Sequence, residues 1–197
     1  PLGLIVQDLS GAGAKQSGLR GGALISKLAE RVEGLALHAA DSLVVVSPAM
    51  GDVVTQLGVE KNKTSLIYNY SARSIFTEDR LKSREKFGWK KDDFIAIHTG
   101  NMGAKQDLGN LILASEYLPE GSRIKIFLVG HGNQEKDLRE MSSAKANVSV
   151  MDAVSDEDYS ALLSAADLLI VNERSTQLEM SLPSKLTSYL YSERPVL

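Results

Sequence analysis

The chain has no cysteine, which excludes a disulfide framework, a thiolate nucleophile and a cysteine zinc site. Histidine is scarce. His38, His98 and His131 lie far apart and show no metal-ligand spacing, so no metal site is expected from them. No apolar run approaches the roughly 20 residues of a transmembrane helix and no signal peptide is visible, so a cytoplasmic location is the expectation. Strong charge of either sign is also missing. A net charge of −3 and a pI near 5.7 argue against a dedicated nucleic-acid binder, although a local basic pocket fits inside such a total. What remains is 197 residues, 43% hydrophobic and 24% charged, enough apolar content for one large or two small cores.

The two ends are abrupt. Pro1 stands directly before the apolar stretch Leu2 to Val6, and Leu197 closes among the first residues of a strand, without the polar tail of a usual terminus. A piece of a longer chain is the expectation.

Leu2 to Val6 reads as a buried strand ending at Gln7-Asp8, followed by a glycine-rich loop through Gly11, Gly13, Gly18, Gly21 and Gly22. Lys15 falls outside the GxxxxGK[ST] spacing, so this loop is no phosphate loop of that kind. Leu24, Ile25, Leu28, Val32, Leu35, Ala36 and Ala39 keep helical spacing, with His38 placed near the helix C-terminus, where the dipole favours it. Ser42 to Val46 is a strand of the fully covered parallel kind, Ser47-Pro48 caps and opens a helix that Gly58 stops, and Ser65 to Tyr68 is a further strand. Ser71 to Leu81 lacks a clear period, and the domain boundary is placed there, dividing 1–75 from 76–197.

Beyond it, strands at Phe94 to His98, Ile124 to Val129, Val148 to Met151 and Asp167 to Val171 alternate with helices, one of them opened by the capping box Ser155-x-x-Asp158. This alternation predicts an α/β fold with a parallel doubly wound sheet. Ligands of such a sheet bind beyond the carboxyl ends of the strands, at the switch point of strand order. The loops there are Gly100 to Gly103, Gly130 to Gly132, and Pro183-Ser184-Lys185, where Ser184 is expected to cap a helix with Leu186, Tyr189 and Leu190 on its apolar face. A lysine in a first helical turn is unfavourable against the dipole unless an anion shares the site. Lys185 therefore reads either as a solvated surface residue or as a phosphate ligand. Three such loops on one sheet edge, with Lys105 as a second cation, favour phosphate. The dinucleotide version fails, because Gly100-Asn101-Met102-Gly103 lacks the GxGxxG spacing and Gly130-His131 stands where a ribose-binding carboxylate is expected.

As a set, several segments resemble the group 1 glycosyltransferases of the GT-B fold, especially the bacterial polysaccharide enzymes. They are Val44 to Pro48, Ile67-Tyr68-Asn69, His98 to Gln106, Leu128 to Gly132, Asn147 to Val154, Ala165-Ala166-Asp167, Pro183 to Leu186 and Arg194-Pro195-Val196. The resemblance implies two Rossmann-like domains, both incomplete here: 1–75 as the C-terminal part of the acceptor-side domain and 76–197 as the donor-binding domain. It implies transfer of a sugar, with retention, from a nucleotide-sugar donor to a saccharide or lipid-linked acceptor in cell-surface polysaccharide or glycoconjugate synthesis. The nucleotide-sugar is a substrate, so no cofactor and no metal are implied, nor is nucleic acid. A location at the inner face of the membrane leaves room for peripheral membrane contact.

By the same resemblance, Gly100, Asn101, Met102, Gly103 and Lys105 would face the donor diphosphate together with Ser184 and Lys185. Gly130, His131, Met151, Asp152, Ala153 and Ser188 would lie at the base or ribose, and Asp8 on the acceptor side. No catalytic residue carries over. The family's Glu-x7-Glu pair falls on Met180 and Ser188, and Glu193 stands where the family has glycine. These departures keep a second expectation open, a nonenzymatic nucleotide-sugar-binding or regulatory module; the piece by itself is expected to be inactive.

Overall fold

The structure, a computed structural model, describes residues 1–9, 22–70, 78–174 and 183–197, with the backbone alone for 22–26. The glycine-rich segment up to Gly21, the placed boundary at residue 75 and the family position at Met180 lie outside the described residues. The chain forms two compact units, the first holding the described residues up to Tyr70 and the second those from residue 78 onward.

The first unit is a three-stranded parallel sheet in the order β1 (Gly3–Val6), β2 (Ser42–Val45), β3 (Thr64–Leu66), with α1 (Gly22–Ala39) and α2 (Pro48–Gln56) as crossovers. Pro48 takes the first turn of α2, and Ser47 accepts the Met50 amide at 3.1 Å, as the cap reading required. Val6, Leu37, Leu43, Val45, Met50 and Val54 form the core. The helical spacing of α1 holds, but its apolar stripe is not the face that meets the core. Leu28, Val32 and Leu35 are 64%, 58% and 73% exposed, and the residue packed into the core is Leu37, about 180° around the axis from Leu28 at 3.6 residues per turn. A period shows that a helix has an apolar stripe; what covers the stripe is decided elsewhere.

The second unit is a parallel sheet in the order β6 (Val148–Met151), β5 (Ile124–Val129), β4 (Phe94–Thr99), β7 (Leu168–Leu169). Val196 bridges to Leu169 in parallel and extends the pairing beyond β7. Strand order therefore reverses between β4 and β7, which makes the crevice beyond their carboxyl ends the switch point. The remaining elements are α3 (Arg80–Lys86), α4 (Gly109–Ala114), α5 (Glu135–Ser142), α6 (Asp156–Ala165) and α7 (Ser184–Tyr191). The sheet is covered on both faces. Ala96 joins a core with Ile112 and Leu138, while Ile95 and Ile97 join another with Leu162, Leu163 and Tyr189, as period-2 alternation requires. Ser155 accepts the Asp158 amide at 3.1 Å and starts α6 as its capping box predicts.

Three local readings are corrected. Pro183, not Ser184, occupies the α7 cap position and makes no side-chain capping bond, while Leu190 is exposed and Ser188 and Tyr189 are buried. The end of the stretch without a period already belongs to α3, which starts at Arg80 and is capped by Asp79 on the Lys82 amide at 2.9 Å. Its buried side chains are a serine and an arginine, Ser83 and Arg84, so an apolar count passes over them. Glu193, at the family's glycine position, has φ +58°, a left-handed conformation that glycine adopts freely and other residues adopt at a cost.

Arg84 is 2% exposed, and each of its guanidinium nitrogens is engaged at the amino ends of the strands. It donates to the carbonyls of Ala165 (3.0 Å), Lys91 (2.7 Å) and Asp93 (2.9 Å), and to the Asp167 carboxylate. Asp167 also accepts from Arg80 at 2.6 Å and from the Ile95 amide at 2.7 Å. Removing one partner of a buried pair strands the other charge. Asp167→Asn is thus expected to lower stability by about 3–5 kcal/mol in urea denaturation, whereas Lys86→Met at the exposed pair with Asp158 leaves it nearly unchanged.

Candidate functional site

The switch point is built from the end of β4, the loop after it, the segment after β7 and the first turn of α7. His98 and Thr99 are the last residues of β4, and both are buried. The His98 Nδ1 lies 3.1 Å from the Ile170 carbonyl, which can only accept, so Nδ1 carries the proton. Its Nε2 then presents a lone pair, and the Lys185 Nζ donates to it at 2.9 Å. Burial first, then the adjacent ammonium, drives the imidazole pKa down to about 3, so the ring is neutral. One residue on, the Thr99 amide donates to the Tyr189 hydroxyl at 2.7 Å, and the hydroxyls of Tyr189, Thr99 and Tyr159 form a chain with 3.1 Å links. Burial pushes the Tyr189 phenol well up, so it stays protonated.

Lys185 is half-buried, and its side chain lies along Gly100, whose missing Cβ would sit 3.6 Å from Cε and 3.7 Å from Nζ. Its pKa is lowered to about 8 by burial, with Glu173 opposing the shift and the positive charge of Lys105 adding to it. Of the two charges acting on Lys185, the Glu173 carboxylate outweighs the Lys105 ammonium. The loop carrying Lys105 is held from β7's side: Asn172 donates to the carbonyls of Gln106 (2.7 Å) and Asp107 (3.1 Å), and the Arg174 amide to that of Lys105 (3.0 Å).

The glycine loops are brought together, for a reason other than the one expected. The Gly100 amide donates to Val129 at 2.9 Å, the Met102 amide to His131 at 2.8 Å and the Gln134 amide to Met102 at 2.9 Å. The Gly103 amide donates to the Gln106 side chain at 3.3 Å. These amides are spent on loop structure instead of pointing at a ligand. A Cβ on Gly130 would lie 1.9 Å from the Gly100 carbonyl oxygen, and one on Gly132 would lie 2.4 Å from that of Met102. Glycine is needed there so that two backbones can touch. Met102 itself is fully buried in the core. Its side chain locks the loop and does not face outward. Asn101 is exposed and its side-chain amide donates to the Gln106 Oε1 at 3.4 Å.

His131, Met151, Asp152 and Ala153 lie beyond β5 and β6. His131 meets Glu135 at 3.1 Å; Arg139 joins Glu135 at 3.0 Å and Asp152 at 2.5 Å. The His131 and Arg139 hydrogen bonds hold the Glu135 carboxyl below its ordinary range. Ligand atoms of His131, Glu135 and Asp152 lie within 4.8 Å of one another, a spacing that suits a cation, and the Arg139 guanidinium sits among them. Ser184 is exposed in the first turn of α7, while Ser188 is buried one turn further along. In the first unit, Asp8 is exposed just past β1. His98 and Tyr189 escaped the sequence reading as site residues. The available signal was a lone histidine closing the apolar run Phe94-Ile95-Ala96-Ile97.

Residues 79–197, more than half of the chain, match the family model of glycosyl transferases group 1. The chain belongs to the group 1 glycosyltransferases. A putative colanic acid biosynthesis glycosyl transferase of Escherichia coli (strain K12), WcaI, is 27% identical over 175 residues, covering 86% of this glycosyltransferase chain and 43% of that protein. The crystal structure of Anabaena HepE in complex with UDP-glucose superposes with a TM-score of 0.76 at 19% identity, over 100% of this chain and 52% of that one. Sucrose-phosphate synthase from Thermosynechococcus elongatus gives 0.78 at 18% identity, over 98% and 49%. These structures show the fold, Rossmann-like units of the GT-B type. The chain spans about half the length of these relatives.

Gly130→Ala should lower stability by about 3–5 kcal/mol in urea denaturation, since Gly130 combines the backbone contact with φ +149°. Acid titration gives a second check. His98 has a folded pKa near 3 against an ordinary 6.5, so between these values the unfolded chain binds the extra proton. Its contribution to stability is complete above about pH 6.5 and is lost as pH falls, at about 1.4 kcal/mol per pH unit. Above the carboxylate range, His98→Gln should flatten that slope.

Proposed function

We propose that the full-length protein moves a sugar from a nucleotide-sugar donor to a saccharide or lipid-linked acceptor, with retention, in cell-surface polysaccharide or glycoconjugate synthesis. The observation that carries the reading is the Lys185 ammonium held beside Gly100 at the switch point, with Lys105 close enough to depress its pKa. Such a pair stabilises the negative charge that develops on a departing nucleoside diphosphate, in a crevice where electrostatic terms exceed their value in water. Support also comes from the relatives. WcaI is named for colanic acid biosynthesis, and HepE was crystallised with UDP-glucose.

On this reading the second unit is the donor domain and the first the acceptor side, with Asp8 among its residues. Ser184, Lys185, Lys105, Asn101, Gly100 and Gly103 surround the diphosphate, and the ribose and base extend toward Gly130, His131, Asp152 and Ala153. The nucleotide-sugar is a substrate, and neither metal nor cofactor takes part. Among the described residues no helix is long and apolar enough to cross a membrane. The reaction belongs to the cytoplasm, at the inner membrane face where a lipid-linked acceptor is used.

One observation favours a second reading, a nonenzymatic nucleotide-sugar-binding module: α7 carries no carboxylate, and Ser188 is buried at the position where the family pair would end. Thermal shift of the full-length protein against UDP-, GDP- and dTDP-sugars should show stabilisation by a donor, and that donor should be turned over. Lys185→Ala should weaken nucleoside diphosphate binding by about 1.5–3 kcal/mol in calorimetry. Equal affinities would remove Lys185 from the site, and binding without turnover across the panel would establish the second reading.

A further inference from the structure

We propose that His98 is a positioning residue of the donor site: its imidazole accepts a hydrogen bond from Lys185 and thereby sets where the ammonium meets the diphosphate. The inference rests on the reading that Lys185 binds that group.

A lysine has four rotatable side-chain bonds and three equivalent donors, so a half-buried ammonium beside an open crevice has many poses. Here one pose is selected. His98 sits on β4, the central strand next to the switch point, and is buried with no freedom of its own. The Ile170 carbonyl at 3.1 Å fixes which nitrogen holds the proton, and the other nitrogen is left as an acceptor directed at Lys185 Nζ, 2.9 Å away. An ammonium has no lone pair, so the polarity of this bond is settled: Lys185 donates, His98 accepts. One N–H is used in this way, and two remain for an anion. Gly100 completes the seat, since its Cα lies under Cε and Nζ without a side chain in between.

The arrangement also controls charge. Neutral His98 takes part of the ammonium's hydrogen-bonding demand without adding a second cation. The other charged groups acting on Lys185 are Glu173, which favours its protonated form, and Lys105, which opposes it. Tyr189, from the next turn of α7, stays neutral and is tied to Thr99. Without the imidazole acceptor, Lys185 keeps its burial and its repulsion from Lys105 but loses a partner. It then gives up its proton at lower pH.

The test uses the full-length protein and UDP as probe, with binding followed by calorimetry from pH 6 to pH 9.5. Wild-type affinity should fall as pH rises through about 8, where Lys185 loses its charge. His98→Phe, which fills the volume without an acceptor, should weaken UDP binding by about tenfold and move this fall to lower pH. His98→Gln places an amide oxygen near the Nε2 position and should restore affinity to within about threefold of wild type. Wild-type affinity and pH profile in a folded His98→Phe protein would overturn the proposal. If instead Lys185→Ala leaves UDP binding unchanged, the donor-site reading itself fails; loss in Lys185→Ala with no loss in His98→Phe removes His98 alone. A measurement without substitution at His98 covers a variant that does not fold. Nitrogen-15 NMR of the histidine-labelled wild type should show the Nδ1–H tautomer, with an Nε2 signal that shifts in Lys185→Ala. An Nε2–H tautomer would overturn the proposal, because a protonated Nε2 cannot accept from the lysine.

Discussion

Helix α7 is held by two hydrogen bonds from consecutive residues of one strand. His98 meets Lys185 and Thr99 meets Tyr189, four residues further along the helix. Positions i and i+4 lie on one helical face, so a strand end presenting two polar groups can grip both. The helix needs this grip, because its own start has no side-chain cap and the exposed Leu190 contributes little to its burial. Everything that follows in the chain depends on it. Tyr191 leads to Glu193 in its left-handed turn, and Pro195 to Leu197 come back to pair with Leu169 and Val171. The same contact that places the site lysine also places the last pairing of the sheet.

The two ends of the second sheet have different work. At the amino ends, Arg84 and Asp167 bring opposite charges together and every nitrogen of the buried guanidinium finds an acceptor, so the charges there are consumed internally. At the carboxyl ends, Lys185 and Lys105 bring like charges together and oppose one another. The first arrangement serves stability, and in the second Glu173 and Lys105 act on the Lys185 ammonium in opposite directions. A strongly parallel sheet suits this division, because its strands all point their carboxyl ends, and the loops that follow, at one edge.

Much of this was legible beforehand. The aliphatic runs at Ile124 to Val129 and Val148 to Met151 gave their strands almost residue for residue, and Ser47-Pro48 and Ser155-x-x-Asp158 marked two helix starts through local chemistry alone. Those signals are short-range. What escaped were properties that only distant partners decide. Arg84 is buried because the Ala165 carbonyl and the Asp167 carboxylate, far along the chain, converge on it together with the nearer carbonyls of Lys91 and Asp93, and an arginine in Arg80 to Lys86 otherwise reads as solvated surface. Leu28, Val32 and Leu35 form a correct stripe on a helix whose opposite side meets the core. His98 and Lys185 are 87 positions apart, and nothing in either segment announces the other. Nothing near Gly130 and Gly132 in sequence shows that the carbonyls of Gly100 and Met102 approach them.

That last contact restricts how such a site can change. The loops after β4 and β5 are separate in sequence, yet no atom can be added at Gly130 while the Gly100 carbonyl keeps its place. They behave as one interlocked part with two pieces. A loop transplanted alone from a relative would bring its own backbone path and would collide with, or detach from, the resident partner. The two loops are therefore exchanged together or not at all, while side chains such as Asn101 and His131 can vary without disturbing the shared backbone seam.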